Sequence, residues 1–526
     1  MLTQRPFRRT TARLAAVLLA SYGLTSAAAP LPTEEHGEGW VRDSVVDPAA
    51  LNAPKGPFGT CFNGQTFQQE AVLTFSGHQY AAYYADGGVL CLARRKLDDG
   101  PWQVIRFEDY RIAHDDVHNV AVLGICAADG TVHLAYDHHV SRLHYRRSVP
   151  GLALRPDEIG WSTNAFGPTT SRLWSQPLSG LTYPQFFSTP TGDLQLLYRL
   201  GSSGDGDWHL AEYAGRRGAW ASLGMLFTRR GAYETSRSRC AYPNPVRYGP
   251  DGRLHVTWCW RERPANGVRD LRTNHDLCYA YSDDRGRTWK GNAGQPVASL
   301  SDATDAWPSA IGVGTPGVVV RTTRFLWGQM NTTTECVDPA GRVHVINWQQ
   351  RQDAEAASAD LNTWRYYHYW RATDGTWHTQ ELPFVGRKPQ LVVDGKGEAY
   401  VLYGESDNRN YHSVDPGWKM VLVKATRAGE WKDWRRLWAS EEIFVGEPLL
   451  DPVRWQQTGV LSCYAQEKPA APGAPSALRV IDFRVADASL KHGDGAASTL
   501  GDKATNRPRR ALSYAAASGV PARDSR

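Results

Sequence analysis

The sequence predicts an all-β protein, and specifically a seven-bladed β-propeller, from two observations. One short pattern recurs seven times along the chain, and long helical periodicity is absent. Each copy starts at a turn glycine and continues as an alternating apolar run that ends near an aromatic residue, as expected for a strand that follows a hairpin turn. Such repetition is typical of a ring of sheets, because one unit alone cannot bury its apolar face. The turn glycines are Gly77, Gly130, Gly192, Gly252, Gly341, Gly397 and Gly459.

The spacing of the repeats defines the domain. Successive copies lie 53 to 89 residues apart, which is enough for about four strands and their loops. We therefore assign residues 30–486 to one catalytic ring rather than to several domains. The segment from Ala477 to Val485 is predicted as the final strand, and a strand near the N-terminus is expected to complete the last sheet and remove its exposed edge.

The two ends of the chain differ from this body in composition. Residues 1–29 have early arginines, an apolar stretch from Leu14 to Leu24 and an alanine run ending at Ala29, which predicts a signal peptide cleaved near Ala29 and a secreted or periplasmic protein. No segment reaches the roughly 20 apolar residues of a membrane span. Residues 487–526 have almost no large apolar side chains, so they are predicted to be a disordered tail.

Charge and cysteine content exclude several classes of function. The formal net charge is +5, but basic and acidic residues nearly balance once the two ends are set aside, so charge gives no argument for nucleic acid. Eight cysteines are spread thinly along the chain. That pattern is unlike a disulfide-dense small domain and favours buried free thiols.

The segment from Ser282 to Trp289 reads SDDRGRTW and resembles the Asp-box turn of sialidase-type propellers. In that turn the Asp, Ser and Thr side chains satisfy backbone amides, and the Trp packs between strands. We therefore expect the segment to be structural.

Three polar clusters stand near the ends of predicted strands, where a propeller places its functional groups. The first is HDDVHN followed by YDHH, the second is LTYPQFF followed by LLYRLGSSGDGD, and the third is SRCAYPNP. They supply the candidate site residues His118, Asn119, His138, Tyr183, Arg199, Arg239 and Tyr242.

The run from about Asn63 to Trp289 resembles the propeller-type ulvan lyases, a group of polysaccharide lyases within the BNR-repeat proteins. The resemblance rests on HNV, YDHH, TYPQF, YRLGSSGDGD, AYPNP and NHDLCYAYSDDRGRTW, and on the order and intervals of five residues. Those residues are His118, His138, Tyr183, Arg199 and Tyr242. The resemblance implies β-elimination next to a uronic acid in a rhamnose-containing acidic polysaccharide. We expect a monomer with no nucleic-acid partner and no membrane span.

The residue types suit that chemistry. The proton at C5 of a uronate is too weakly acidic while the carboxylate keeps its charge, so a cation must stabilise the enolate-like intermediate. Arg199 can bind a carboxylate with its planar fork. His118 and Tyr183 then form the acid and base pair, with either order open and with the cation expected to lower the tyrosine pKa. His138, Tyr242, Asn119 and Arg239 are expected to bind or orient the sugar.

A second group of residues is a candidate metal-binding site. Two cysteines and two histidines near the Asp box have the donor types of a tetrahedral zinc site, and the resemblance implies structural zinc near the active site in some of these lyases. The spacing matches no compact finger, so buried thiols and a surface histidine are the alternative interpretation. The four residues are His209, Cys259, His275 and Cys278.

Three other functions were weighed against elimination. A glycoside hydrolase needs two carboxylates around the bond, and Asp115, Asp116 and Asp137 resemble strand-end and turn residues. A sialidase needs three arginines and a Tyr/Glu pair, which we do not identify. A sugar-binding propeller would use the 20 Trp and 23 Tyr but needs no His/Tyr/Arg cluster.

Overall fold

A computed structural model describes residues 39–55, 59–302, 304, 308–410 and 415–485, together with the backbone of 491–492. The predicted signal peptide, 1–29, lies outside the described residues, as does the predicted tail, 487–526, except for that two-residue strand. The fold is all-β, as predicted. The described residues include one α-helix, α1 (Pro452–Thr458). No helix in that part of the chain has the length and apolar character that a membrane crossing needs.

In the described residues, thirty-one strands follow one another with short turns between most of them. Four short 3₁₀ helices lie at Asp86–Gly88, Thr163–Ala165, Leu271–Thr273 and Leu361–Thr363. The strands are β1 (Trp40–Ala50), β2 (Val72–Phe75), β3 (His78–Tyr84), β4 (Val89–Lys96), β5 (Gln103–Arg111), β6 (Ala121–Cys126), β7 (Thr131–Tyr136), β8 (His139–Ser141), β9 (Tyr145–Arg147), β10 (Leu181–Ser188), β11 (Leu194–Ser202), β12 (Asp205–Ala214), β13 (Ala219–Phe227), β14 (Ser236–Pro243), β15 (Arg247–Tyr248), β16 (Leu254–Pro264), β17 (Asn274–Ser282), β18 (Thr288–Lys290), β19 (Pro296–Ser299), β20 (Val319–Arg321), β21 (Thr334–Val337), β22 (Val343–Gln349), β23 (Arg365–Arg371), β24 (Trp377–Glu381), β25 (Gln390–Val393), β26 (Ala399–Glu405), β27 (Trp418–Ala425), β28 (Arg435–Leu450), β29 (Val460–Glu467), β30 (Ser476–Arg484) and β31 (Lys491–His492).

The strands form six sheets, and neighbours in each sheet are mostly consecutive in the chain. Their orders are β2-β3-β4-β5, β6-β7-β9, β13-β12-β11-β10-β8, β14-β16-β17-β18-β19 with β15 and β20 beside it, β21-β22-β23-β24, and β25-β26-β27-β28-β29-β30-β1-β31. Every repeat identified in the sequence forms a strand directly after its turn glycine. These strands are β3, β7, β11, β16, β22, β26 and β29.

Aromatic side chains fill the space between sheets. Strands such as β3, β7 and β17 are buried on both faces, which explains why their apolar runs are nearly continuous. The largest fully buried aromatic side chains are Trp208, Trp258, Trp260, Trp289, Trp348, Trp364 and Trp418.

The Asp-box segment is a structural turn, as predicted. Asp284 accepts hydrogen bonds from the Thr288 amide at 2.8 Å and from the Thr288 hydroxyl at 2.6 Å, and Ser282 Oγ accepts from the Gly286 amide at 2.7 Å. Trp289 is fully buried and donates to the Gly286 carbonyl at 2.9 Å. The box therefore closes the hairpin between β17 and β18.

The last sheet is completed by the N-terminal strand, as the sequence predicts. Strand β1 pairs antiparallel with β30 along most of its length. Next to this strand pair, the carboxylate of Asp482 in β30 accepts from Arg95 of β4 at 2.7 Å and from Arg454 of α1 at 2.9 Å. All three side chains are buried, so one ionic network ties the last sheet to the first.

Replacing this shared carboxylate is expected to destabilise the fold strongly. Asp482→Asn leaves buried Arg95 without its anion and leaves Arg454 only the exposed carboxylate of Asp98 at 3.2 Å. Breaking a buried ion pair costs about 3–5 kcal/mol. Urea unfolding measures the change in the free energy of unfolding. Asp283→Asn, which removes a partly exposed carboxylate paired with Lys290 and Arg253, is the control and should cost below about 1 kcal/mol. Equal losses in the free energy of unfolding for Asp482→Asn and Asp283→Asn would contradict this account of the ionic network.

Candidate active site

Four of the five residues that carry the resemblance meet in one cluster. The ring of Tyr183 lies 5.9 Å from that of His118 and 6.0 Å from that of Tyr242, measured between centroids. The guanidinium carbon of Arg199 stands 4.7 Å from the Tyr183 ring and 5.7 Å from the Tyr242 ring. These side chains come from the loop after β5 and from β10, β11 and β14, so neighbouring sheets build the cluster together.

Arg199 is a fully buried cation with unused hydrogen-bond donors. Its Nη1 donates to the Tyr242 hydroxyl at 3.4 Å, whereas its Nε and Nη2 are buried without a hydrogen-bond partner. Within the described residues, no acidic side chain forms an ion pair with it. A guanidinium stays charged in a protein, and a buried charge normally has a partner. Its surroundings are therefore suited to an anionic ligand.

The neighbouring strand leaves room for Arg199. At Gly206 in β12, a Cβ would lie 2.9 Å from Cδ and 3.0 Å from Cγ of Arg199. Such contacts are too short for carbon atoms, so a side chain here would push the arginine stem aside. The position of the guanidinium thus depends on a glycine that carries no functional group.

Tyr183 lies on β10 in a left-handed backbone conformation, with φ of 56°. The pairing of β10 with β11 shifts register between Thr182 and Gln185, and such irregularities turn side chains toward functional sites. The Tyr183 ring packs against Phe67 and stacks on Trp208. Burial raises the pKa of Tyr183 well above its usual value, and Arg199 opposes this only in part. The cation does lower this pKa, as expected, but burial outweighs its effect and the pKa of Tyr183 is raised overall.

A carboxylate links two histidines at the edge of the cluster. Asp116 accepts from His118 Nδ1 at 2.5 Å through one oxygen and from His139 Nδ1 at 2.6 Å through the other. The two imidazole rings stack at 4.3 Å, and the ring of Phe67 stacks on the His118 ring at 5.1 Å. Asp116 therefore fixes the orientation of both rings.

The same contacts set the protonation of the pair. Burial alone would raise the pKa of Asp116, but hydrogen bonds from His118 and His139 hold it well below its usual range. Burial lowers the pKa of His118 despite the Asp116 hydrogen bond. At neutral pH the carboxylate is charged, and His118 is a neutral imidazole whose proton is on Nδ1. Its Nε2 is then the basic nitrogen.

His138, predicted to bind substrate, lies apart from this pair. It is buried, its Nε2 accepts from the His144 amide at 2.9 Å, and its ring stacks on that of His144. Asn119, also predicted, is buried and donates to the Asp116 carbonyl at 2.8 Å. In this structure Asn119 supports the loop that carries His118. The ring that faces His118 is that of His139, the residue after His138.

Arg239, the remaining predicted substrate-binding residue, is fully buried and engaged by the protein. Its Nε and Nη2 donate to the carboxylate of Glu262 at 2.8 and 3.1 Å, and its Nη1 donates to the carbonyls of Arg229 and Gly231. These contacts give Arg239 a role in holding β14 and β16 together.

The predicted zinc ligands do not form one ligand set in this structure. His275 directs Nε2 to Glu262 at 3.2 Å and Nδ1 to Asp276 at 3.1 Å. Burial alone would lower its pKa, but hydrogen bonds with these two carboxylates raise it. Both ring nitrogens are thus already engaged by side chains of the protein. His209 lies on β12 with its ring stacked on Tyr198.

The two cysteines of that set face different ways. Cys278 pairs with Trp258 across β16 and β17, and Cys259 follows Trp258 along β16. Since successive side chains alternate across a strand, the two thiols point to opposite faces of the sheet. Burial also raises the pKa of Cys259 to about 12 and that of Cys278 well above its usual value. The residues therefore do not fit a shared zinc ion.

Within the described residues, a different group brings the possible ligand atoms of three side chains within 4.8 Å of one another. These side chains are Asp116, His118 and His139. A metal ion must lie near the plane of each imidazole that binds it. The two rings are nearly parallel, at 18°, and 4.3 Å apart, so one ion cannot lie in both planes. We therefore interpret the group as a carboxylate that orients two imidazoles.

Sequence reasoning gave no site role to four contributors to the cluster. It interpreted Asp116 as a strand-end or turn residue, although both Asp116 and His139 stand inside the quoted motifs HDDVHN and YDHH. Arg261, whose guanidinium carbon lies 5.0 Å from the centroid of the Tyr242 ring, follows the apolar run of its repeat and carries no local signal of a site. Phe67 carries no signal, because nothing local distinguishes it from a core aromatic.

Comparison with known proteins places this chain in a family. A family model described as "BNR repeat-containing family member" matches residues 78–385. The long isoform of ulvan lyase from Alteromonas sp is 23% identical over 332 residues, which are 53% of this chain and 31% of that protein. The short isoform from Alteromonas sp. (strain LOR) is 25% identical over 219 residues, 34% of this chain and 40% of that protein. The chain thus spans about a third of the length of these curated relatives.

Solved structures share the fold. The polysaccharide lyase Uly1 has a TM-score of 0.62 at 19% identity, covering 84% of this chain and 98% of that one. An ulvan lyase, PL25, bound to -[GlcA(1-4)Rha3S]- has a TM-score of 0.58 at 12% identity, covering 84% and 95%. The resemblance to ulvan lyases drawn from the sequence is confirmed, and the chain belongs to the BNR repeat-containing family.

Proposed function

We propose that this protein is a polysaccharide lyase that cleaves rhamnose–uronic acid linkages of an ulvan-like polysaccharide by β-elimination. One observation carries the proposal. Arg199 is a buried cation that has no carboxylate partner in the described structure and leaves two donors unpaired beside His118, Tyr183 and Tyr242. A uronate carboxylate has the charge and the planar shape that such a guanidinium binds.

The proposed reaction uses three groups of the cluster. Arg199 neutralises the uronate carboxylate, which makes the C5 proton removable. His118 takes that proton, the C4–oxygen bond breaks with formation of a C4–C5 double bond, and Tyr183 gives its proton to the departing oxygen. The order follows from protonation: the lowered pKa of His118 keeps it neutral, and the raised pKa of Tyr183 keeps it a phenol.

Two alternatives fit the site less well. A glycoside hydrolase of the usual kind requires two carboxylates across the scissile bond. The described cluster offers Asp116, and both of its oxygens accept from histidines. A sugar-binding module would not need a buried cation among acid and base groups. The relatives named ulvan lyase also favour elimination.

An assay for the unsaturated uronate product tests the proposal. Purified protein is mixed with ulvan and other uronate polymers, and ultraviolet absorbance and reducing ends are followed together. Elimination predicts that both signals rise in parallel. Reducing ends without absorbance would identify a hydrolase, and binding without either signal would identify a sugar-binding module.

The pH profile is expected to have an acid limb below the ordinary histidine value. His118 must be neutral to accept a proton, and its pKa is lowered from 6.5. Hence kcat/KM rises as pH increases, reaches its plateau by about neutral pH, and is lost as pH falls through the lowered pKa. An acid limb above pH 6.5 would argue against His118 as the base.

Asp116→Asn removes the partner that fixes the Nδ1 proton of His118, so we expect a fall of about 10²- to 10⁴-fold in kcat.

Finer features of the proposal rest on the sequence. We propose seven blades, in which the eight-stranded sheet is two blades that share the long strand β28. Residues 1–29 are proposed to be a signal peptide for a secreted or periplasmic enzyme. The partner is an acidic polysaccharide, and the enzyme is proposed to act as a monomer.

A further inference from the structure

We infer that Cys240 is a positioning residue, which holds the guanidinium of Arg199 in place for the uronate carboxylate. The inference rests on the proposed function and adds a residue that acts through Arg199 rather than on the substrate. It is carried by the two groups that donate to the buried Cys240 sulfur, Arg199 Nη1 and the Gly204 amide. It is also carried by the place of Cys240 in a row of side chains on β14.

Three side chains on one face of β14 hold the turn between β11 and β12. Ser238, Cys240 and Tyr242 are every second residue of the strand, which places them on the same face. Ser238 Oγ donates to the Gly204 carbonyl at 3.0 Å, and Cys240 Sγ accepts from the Gly204 amide at 3.1 Å. The Tyr242 hydroxyl donates to Ser203 Oγ at 3.1 Å. Strand β14 belongs to a different sheet from β11 and β12, so side chains rather than strand pairing join the turn to β14.

The position of this turn determines the position of the cation. Arg199 lies on β11, and Gly206, which leaves room for the arginine stem, lies on β12. The two strands are paired up to the turn, with Ser202 opposite Asp205. A shift of the turn would therefore move both Arg199 and the glycine on which its place depends.

Cys240 also contacts the cation directly. Arg199 Nη1 donates to Cys240 Sγ at 4.0 Å and to the Tyr242 hydroxyl at 3.4 Å. These acceptors engage Nη1, whereas Nε and Nη2 have no hydrogen-bond partner among the described residues. Nε and Nη2 form one edge of the guanidinium, and two parallel donors of this kind bind both oxygens of a carboxylate. The contacts of Nη1 thus leave free the edge that a uronate needs.

A thiol suits this role because it can orient the guanidinium without neutralising it. Cys240 and Arg199 are both fully buried, and a thiol is a weak, uncharged acceptor. A carboxylate in its place would form a buried ion pair with Arg199 and would compete with the substrate. The sulfur therefore fixes the direction of the cation and leaves its charge for the ligand.

The test compares ulvan with the same ulvan after methyl esterification of its carboxylates. The ester is uncharged, so removal of its C5 proton depends less on a cation. The readout is the ratio of kcat on the free acid to kcat on the ester. We expect Cys240→Ala to lower this ratio about 10- to 100-fold, because a misplacement of about 1 Å can cost about 100-fold in rate. Cys240→Ser, which keeps a side-chain acceptor, should restore part of the ratio, and Arg199→Met should give the lowest value.

Cys126→Ala is the matched control. Cys126 is also fully buried on a strand, at the end of β6 opposite to His118, and its Sγ donates to the Gly192 carbonyl at 3.3 Å. Its loss should leave the ratio unchanged, and urea unfolding shows whether both alanine variants keep the fold. An equal loss of activity on the two polymers in Cys240→Ala, or no loss at all, would overturn the inference, because a general effect on the fold does not distinguish an acid from its ester.

Calorimetric binding separates the inference from the proposed function, because it requires no turnover. Uronate oligosaccharides and their methyl esters are titrated into Tyr183→Phe protein, in which cleavage is slowed, with and without Cys240→Ala. A wild type that forms no unsaturated product from either polymer refutes the lyase proposal. A preference for the free acid that Cys240→Ala reduces supports the positioning role in either case. An equal preference in the two proteins, or none in the Tyr183→Phe parent, refutes it.

Discussion

Arg199→Met is expected to abolish elimination while making the fold more stable. Methionine can fill the space of the arginine stem beside Gly206 without carrying a charge. Loss of the cation removes stabilisation of the enolate-like intermediate, so kcat should fall by about 10³-fold or more. Replacing buried charged groups by apolar side chains is often stabilising by about 1–4 kcal/mol. The same is expected here because the Arg199 charge has no anion partner among the described residues.

In Arg199→Met, the rate of elimination must fall while the free energy of unfolding rises. Initial rates on ulvan give the catalytic effect, and urea unfolding gives the free energy of unfolding. Arg387→Met is the matched control, since Arg387 is equally buried but paired with Asp415 at 2.6 Å, and its loss should destabilise by about 3–5 kcal/mol. A stable Arg199→Met protein with near-normal turnover would refute the site.

Tyr183→Phe is expected to lower kcat by about 10²- to 10⁴-fold with little change in stability. The substitution removes one hydroxyl and keeps the ring that packs against Phe67, His118, Trp208 and Tyr242. If the phenol protonates the leaving oxygen, the loss should be smaller for a synthetic substrate whose leaving group is already acidic. Rates on the polymer and on such a substrate measure both effects.

Tyr248→Phe provides the comparison. Tyr248 is a partly buried tyrosine whose hydroxyl donates to Gln195 at 2.8 Å, and it takes no part in the cluster. Its substitution should leave kcat within about threefold, since a net hydrogen bond of about 1 kcal/mol there affects stability alone. Equal losses in Tyr183→Phe and Tyr248→Phe would mean that both residues act through the fold.

The fold could be read from the sequence because its signals are local. A turn glycine followed by alternating apolar residues specifies one strand, and seven copies specify a repeated sheet. The Asp box fixes its own turn through contacts within eight residues, Ser282 to Trp289. Pairing of β1 with β30 was foreseeable because a ring of sheets would otherwise leave an open edge.

The site was predicted only in part, because side-chain direction depends on backbone details that the sequence does not state. His138 and His139 are adjacent, and positive φ values at Asp137 and Val140 decide which ring meets His118. The sequence predicted a binding role for Arg239, because its ion pair with Glu262 joins two separate strands and leaves no local signal. The same applies to His275, whose two carboxylate partners distinguish it from a metal ligand.

Gly206 gives a way to recognise this chemistry in other sequences. The guanidinium of Arg199 can lie across β12 only where that strand has no side chain. A relative with alanine or a larger residue at this position would have to place its cation elsewhere, even if every reacting residue were retained. The paired presence of Arg199 and Gly206 in RLGSSGDG is therefore a stricter diagnostic of function than the arginine alone, and it separates homologues that kept the fold from those that kept the reaction.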